Sequence, residues 1–505
     1  MTKANPRTPV LVGIAQFTDR DSAPQDAKSP LDLLETVARG AIADSGARNV
    51  AIDAIAVVRL FADSAAAYKA PFGHYSNFPR SIANRLGQSP KRLVYGPVGG
   101  NTPQMLVNLF AESIRTGDVD TVLLAGCEPL RSQAKAQKAG LALDWSDETG
   151  DEPETLGDEP RMISRHEAAH GIIMPVSVYP MFENALGAHY GRTPLQQRVA
   201  VGALMHRFTQ VAAQNPYAAI PVERSAEEII TPEGDNRYIG YPYTKYLNAN
   251  MFVDQAAAVL LMSTQAADKA GVPEAKRVYL HGSADTHEHY LVSDRVDYHS
   301  APAIRIGAAH ALAQAGITPA DLGHIDIYSC FSSAVEIAAD MIGIAHDDPR
   351  GLTLTGGLPY FGGPGNNYSM HGIAEVVAQC RTKPGSWGMV TANGGYLTKH
   401  SFGIYSTTPA NDWVRDDPEV YQAQVDALKG PPLTETPDGE GCIEAFTVMH
   451  ERGVPQPATI IGRLDSGERF LARLTDDPAS LIDTPVIGRR VRATPGTPAN
   501  SAVLI

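Results

Sequence analysis

The 505-residue chain has four cysteines and three tryptophans, no excess of basic charge and no long apolar run. Four thiols in so long a chain (Cys127, Cys330, Cys380 and Cys442) make no disulfide framework, so free thiols in a cytoplasmic setting are expected. No apolar stretch reaches the roughly 20 residues of a membrane helix, so no membrane span is expected. The opening residues Met1-Thr2-Lys3-Ala4-Asn5-Pro6 carry no apolar signal segment, and Val503-Leu504-Ile505 matches no familiar sorting address. A net charge of −14 argues against a nucleic-acid partner, which needs a basic patch, but leaves room for an anionic small ligand in a local Arg/Lys cluster. With 43% hydrophobic and 19% charged residues, the chain is globular and long enough for two to four domains.

The hydrophobic pattern reads as two related α/β halves. Residues 9–16 form a buried apolar strand, and Ser29-Pro30 starts a helix that Gly46 ends. Arg92-Leu93-Val94-Tyr95 is strand-like. Gly99-Gly100-Asn101-Thr102-Pro103 then turns into a helix through Leu106, Leu109, Phe110 and Ile114, and residues 121–125 return as a strand. Strand, Gly turn, helix and strand imply a right-handed parallel crossover. The second half repeats the plan. It has a short helix at Thr318-Pro319, a strand at 325–328, an amphipathic helix at 331–344, a helix at 369–380, a strand at 387–391 and a turn at Asn393-Gly394-Gly395.

Between the halves, residues 144–160 read as an acidic surface loop, and Thr193-Pro194 opens a long helix ending near Asn215-Pro216-Tyr217. Residues 409–440 are polar and Pro-rich and read as a linker. The alternating runs 459–464 and 470–474 flank Asp465-Ser466-Gly467, a hairpin pattern that predicts a small β domain over 441–505, OB-like in kind.

The densest chemistry is Tyr328-Ser329-Cys330-Phe331, then one helix-length apolar segment, then Gly356-Gly357-Leu358-Pro359-Tyr360-Phe361-Gly362-Gly363-Pro364-Gly365. This order resembles the C-terminal half of a thiolase. Over about residues 8–408 the chain is similar to the thiolase superfamily, and most of all to sterol-carrier-protein-type thiolases and the thiolase-like proteins beside them. Tyr190-Gly191-Arg192-Thr193, Gln197, Asn215-Pro216-Tyr217 and Asp254-Gln255-Ala256-Ala257-Ala258 match that branch's CoA-binding loop domain. The resemblance implies a duplicated five-layer α/β thiolase fold. Its N-terminal half is 1–275, with a loop domain inserted at about 145–250, and its C-terminal half is 276–408. The linker and the β domain follow.

The resemblance also marks what is missing. The family's nucleophilic Cys corresponds to Gly100, its activating His to Gly363, and its Cys-x-Gly cysteine to Ala392. Cys330 occupies the position of an acid/base Cys. Tyr328 stands where the family places an Asn or His that orients a water or the thioester oxygen. The implied site has Cys330, Tyr328, Tyr396 and His371 as catalytic candidates. Gly100, Asn101, Gly363, Gly365, Asn393 and Gly394 line the ligand. The implied activity is that of an acetyl-CoA acetyltransferase-like enzyme in lipid metabolism, acting on a C–C bond beside a CoA thioester without a Cys acyl-enzyme. Aldol or retro-aldol chemistry fits, as in the thiolase-like steroid side-chain aldolases. The thioester is the substrate, and no other cofactor is implied. A homodimer and a monomer both stay open.

Plainer readings stand beside these. Cys330 reads equally as a small buried residue, Tyr328 as a strand residue, and His371 as a helix-packing imidazole. An eroded, catalytically silent CoA-binding or scaffold protein is the second function. A zinc hydrolase is the third, from His166-Glu167-Ala168-Ala169-His170. That motif needs a sustained helix, and Gly171 and Pro175 interrupt it, so no metal is expected. His281, His287, His289 and His299 read as exposed or hydrogen-bonding residues.

Overall fold

The computed structural model describes residues 5–505 except 66, 67, 69, 158, 411 and 412, so Met1 to Ala4 lie outside the described residues. The N-terminal half runs β1 (Pro9–Thr18), α1 (Pro30–Asp44), β2 (Ala54–Val57), α2 (Phe78–Leu86), β3 (Arg92–Tyr95), α3 (Thr102–Thr116) and β4 (Thr121–Pro129). An insertion follows with α4 (Leu130–Lys138), β5 (Glu154–Thr155), α5 (Arg165–Ala169), α6 (Pro175–His189), α7 (Pro194–Gln214), α8 (Ala226–Ile230) and the ribbon β6 (Tyr238–Gly240) and β7 (Tyr243–Thr244). Strand β8 (Asp254–Ser263) and α9 (Thr264–Ala270) complete the half. The second half is β9 (Val278–His287), α10 (Pro302–Ala315), β10 (Leu322–Asp326), α11 (Ser332–Ile342), α12 (Tyr368–Thr382), β11 (Trp387–Gly394) and β12 (Lys399–Ser406).

The duplication is explicit in the strand pairing. In the first half β1 lies antiparallel to β8, β8 antiparallel to β4, and β4 parallel to β2. In the second half β9 lies antiparallel to β12, β12 antiparallel to β11, and β11 parallel to β10. The halves join where Val10 and Leu11 of β1 pair with Tyr279 and Val278 of β9, giving one ten-stranded sheet. Helices α3 and α12 pack against strands of both halves and form the middle of five layers, with α1 and α10 outside. Capping fixes the helix starts. Ser29 with Asp32 and Thr193 with Gln196 make reciprocal capping boxes, and Pro103 stands in the first turn of α3.

Residues 409–440, expected as a linker, carry α13 (Pro418–Asp426) pinned to the core. The Tyr421 hydroxyl accepts from the Asp285 amide at 3.0 Å, and Gln422 bonds both backbone groups of His287 at 2.9 Å. Trp413 Nε1 donates to Gln314 at 3.1 Å. The polar, Pro-rich composition hides one buried face of Trp413, Tyr421 and Val425.

The C-terminal strands are β13 (Gly439–Thr447), β14 (His450–Glu451), β15 (Val454–Pro455), β16 (Thr459–Leu464), β17 (Arg469–Leu474), β18 (Arg490–Thr494) and β19 (Ser501–Leu504). Five of them close a barrel in the order β13-β16-β17-β19-β18 around Ile443, Phe446, Ile460, Phe470 and Val491. The β16–β17 turn uses Gly467 at φ 97°, a left-handed conformation that suits glycine. Among the described residues no helix is long and apolar enough to cross a membrane.

Candidate active site

The site is built where the first residues of α3 and α12 meet the end of β11. Gly100 O accepts from Ser369 Oγ at 2.6 Å, and the Gly99 amide donates to Asn366 Oδ1 at 3.0 Å, so the two helix starts are tied together. Lys399 holds the same loop through Val98 O. A Cβ at Gly100 would lie 2.2 Å from the Tyr328 hydroxyl and 2.5 Å from Asn393 O. The space in which a nucleophilic side chain would stand is therefore filled by a phenol and a carbonyl. Asn101 Oδ1 lies 2.5 Å from the Cβ direction of Gly394. The structure thus gathers Gly100, Asn101, Tyr328, Asn393 and Gly394.

Cys330 joins them through Asn393, whose Nδ2 lies 3.8 Å from Cys330 Sγ. The same Nδ2 donates to the Tyr179 hydroxyl at 2.9 Å, and the Leu397 amide donates to that hydroxyl at 2.9 Å. The Tyr179 hydroxyl itself donates to Gly395 O at 3.2 Å, and it stands beside the Cys330 thiol, whose proton it influences. Its ring stacks on Phe331 with centroids 4.5 Å apart. Tyr179 was not legible in the sequence. It lies in the insertion, in Tyr179-Pro180, where proline reads as a helix break although α6 continues through it.

Burial sets the protonation of this cluster. It pushes the Cys330 thiol up to about 12, and the hydrogen bonds from Tyr179 and Asn393 pull only partly the other way. Burial likewise raises Tyr328 and Tyr179 well above the usual phenol value. At neutral pH all three are protonated donors.

Two sequence candidates sit elsewhere. His371 Nδ1 bonds Gln16 Oε1 at 2.8 Å and its ring packs 5.0 Å from Phe361, while burial lowers its pKa to about 3. Its place on α12 aims it at β1 rather than at Cys330. Tyr396 donates its hydroxyl to Ile173 O at 2.5 Å and lines a separate cavity of about 380 Å³ with Met162 and Pro175. Gly395, which stands between Asn393 and Tyr396, has φ 71°, and beyond that turn the Tyr396 hydroxyl points to Ile173.

The Gly loop lies over a buried acid. A Cβ at Gly365 would lie 2.3 Å from Glu128 Oε1, and Gly365 has φ 52°. Glu128 accepts from the Phe61 amide at 2.6 Å, and burial raises its carboxyl to about 8. The raised value means that the neutral carboxyl stabilises the fold fully below about pH 4 and that this contribution is lost as pH rises to about 8. Glu128→Gln is therefore expected to gain about 3.5 kcal/mol relative to the parent between pH 5 and pH 8, read from denaturation midpoints at the two pH values. Parallel pH profiles would show that the carboxyl is already charged at pH 5. Gly363 bonds through its amide to Asn250 O at 2.8 Å, and its Cβ direction meets Leu358 at 3.2 Å.

Asn250 also lines the largest neighbouring cavity, about 790 Å³, together with Arg20, Arg224, Lys245, Phe252 and Tyr360. Tyr360 is 1% exposed and its hydroxyl has no partner. A buried hydroxyl without a partner costs free energy, so its place in a cavity wall marks a position where a ligand atom would be favoured. Pro175 lines the Tyr396 cavity, and its neighbour Val176 lines this one.

The histidine motif at 166–170 is no zinc site. His170 Nδ1 bonds His166 O at 2.8 Å, and Nε2 accepts from the Asn500 amide at 2.9 Å, which occupies both ring nitrogens. His281, His287, His289 and His299 serve four different neighbourhoods. They bond Thr408 O, Glu288 O and Leu428 O and, for His299, stack on His189.

A family described as the thiolase-like protein type 1 additional C-terminal domain matches residues 421–495. The chain is 39% identical to a monomeric SCP2-thiolase-like protein type 1 from Mycobacterium smegmatis. That likeness covers 100% of both chains with a TM-score of 0.85. An acetyl-CoA acetyltransferase of Methanothermobacter thermautotrophicus is 24% identical over 369 residues, 70% of this chain and 86% of that one. The Ltp2-ChsH2(DUF35) aldolase shares the fold at 19% identity, with a TM-score of 0.58 over 81% of this chain and 100% of its own.

Proposed function

The chain belongs to the type 1 SCP2-thiolase-like proteins, and from that premise we propose that it binds an acyl-CoA thioester and acts on the adjacent C–C bond without a cysteinyl acyl-enzyme. The observation that carries this reading is the filled space at Gly100, where Tyr328 and Asn393 O leave no room for a nucleophile. The CoA moiety fits the cavity at Asn250 and Tyr360, where Arg20, Arg224 and Lys245 offer charge-assisted bonds to phosphates.

The thioester carbonyl then meets the Tyr328 hydroxyl, a donor that burial keeps protonated. In the retro-aldol direction, the Cys330 thiolate takes the proton of a β-hydroxyacyl thioester. The bond between the α- and β-carbons breaks, releasing a carbonyl compound and leaving an enolate. The Cys330 thiol returns the proton to the α-carbon, so protons and electrons balance across one residue. Asn393 and Tyr179 hold that sulfur in place. A second reading, binding without turnover, draws on the same burial, because it holds Cys330, Tyr179 and Tyr328 protonated at neutral pH. Turnover of β-hydroxyacyl-CoA separates the two.

Calorimetry tests the binding half. Arg224→Gln combined with Lys245→Gln is expected to weaken CoA binding about 100-fold or more, since each charge-assisted bond is worth about 1.5–3 kcal/mol. Unchanged affinity would move the nucleotide elsewhere. A monomer is the expected state, because β5 pairs with Val94 and Tyr95 and takes up that part of the β3 edge. Light scattering reads it directly.

A further inference from the structure

The C-terminal barrel reaches the site through two buried arginines in series. Arg469, in β17, is 0% exposed. Its guanidinium donates to Ser293 O at 3.0 Å, to Val296 O at 3.3 Å and to Arg295 O. Glu444 accepts its Nε at 3.0 Å, and the group lies 4.8 Å over the Tyr298 ring. The barrel thereby grips the backbone of 293–296. Arg295 then carries the contact inward. It donates to Leu397 O and Tyr396 O at 3.0 Å, to Thr398 Oγ1 at 2.9 Å and, through Nε, to His289 O at 2.8 Å.

The turn that Arg295 grips is strained. Leu397 has φ 55°, a left-handed conformation that costs a non-glycine residue about 1–2 kcal/mol and persists only when its surroundings hold it. From this turn the Leu397 amide donates to Tyr179, and Asn393, one residue before Gly394, bonds both Tyr179 and Cys330.

We propose that Arg469 and Arg295 are positioning residues through which the C-terminal barrel sets the Gly394–Thr398 turn, and with it the placing of Tyr179 and Asn393 beside the Cys330 thiol. The barrel is then part of the site, although no barrel side chain enters it. Losing the Arg469 grip frees the 293–296 backbone, lets Arg295 shift and allows Leu397 to relax toward ordinary φ. The sulfur gains water. Burial is the largest cause of its raised pKa, so exposure outweighs the lost bond from Tyr179 and makes Cys330 more reactive.

This inference rests on reading Cys330, Tyr179 and Asn393 as the working pocket. Its test needs no thioester, so its outcome and that of CoA binding are separable. Full-length Arg469→Met, Arg469→Lys and Arg463→Met are alkylated with iodoacetamide from pH 7 to pH 10, and each cysteine is followed by peptide mass spectrometry. Arg463 bonds the same Glu444 at 2.7 Å from the barrel surface and serves as the control. Arg469→Met is expected to speed alkylation of Cys330 about tenfold at pH 8, equivalent to a pKa fall of about one unit. Arg469→Lys keeps the charge and a lesser grip, so it folds with a smaller effect in the same direction. Arg463→Met leaves the profile unchanged. Buried Cys127 and Cys380 report on the rest of the core. An unchanged Cys330 profile in both Arg469 variants overturns the proposal. A parallel rise of Cys127 and Cys380 overturns it too, since that marks general loosening.

Discussion

Gly100→Ala is expected to destabilise the fold by about 3 kcal/mol, the upper range for forcing one methyl into a packed site. The added carbon meets the Tyr328 hydroxyl at 2.2 Å and Asn393 O at 2.5 Å. The Tyr328 ring carbon at 2.7 Å and the Asn393 backbone both stay when the hydroxyl goes, so relief is only partial. Gly100→Ala in a Tyr328→Phe background is expected to recover about half of the loss in urea midpoint. Gly100→Cys follows the same pattern, so a single substitution does not turn the chain into a thiolase, and thiolysis of acetoacetyl-CoA stays at background. A Gly100→Ala protein with the parental midpoint would show that the space is open and that the argument against a nucleophile at this position fails.

The second large effect is in pH. With its pKa near 12, Cys330 carries thiolate in only about one molecule in 10⁵ at pH 7. If that thiolate accepts the substrate proton, kcat/KM for β-hydroxyacyl-CoA cleavage rises about tenfold per pH unit from 7 to 9. Cys330→Ala removes the slope together with about 100-fold or more of the rate, the usual scale of a proton-transfer group. Tyr179→Phe loses a bond that lowers the thiol pKa, so it lowers the rate at each pH while leaving the slope intact. A flat profile in an active enzyme would assign the proton transfer to another group.

Much of the architecture was legible because it is written twice. Gly99-Gly100 before Thr102-Pro103 announces a tight turn into a helix, and the apolar spacing to Ile114 sets its length. The corresponding helix, strand and turn at 368–395 repeat the plan, so two related α/β halves follow from local rules, while the five-layer arrangement came from the thiolase resemblance. Tyr328, Cys330 and Asn393 were singled out by the thiolase resemblance, and the structure brings them together around Gly100 and Asn393. What local rules miss is decided by tertiary contacts. Tyr179 reaches the site from an inserted helix that runs through Pro180. His371 is near Gly363 in sequence, but the helix phase turns it to Gln16. Tyr396 follows Gly395 at φ 71° and turns to Ile173 O, a partner far away in sequence. Trp413 and Tyr421 sit in a segment whose composition reads as linker, and their buried contacts are made with β9 and α10.

We expect a CoA thioester to be held intact beside Cys330. A crystal structure of the protein grown with acetyl-CoA tests it most directly. Unbroken density is expected for the thioester, with its carbonyl oxygen at the Tyr328 hydroxyl, its phosphates near Arg224 and Lys245, and an unmodified Cys330. An acetylated Cys330, or a nucleotide bound away from the Asn250–Tyr360 cavity, would contradict it.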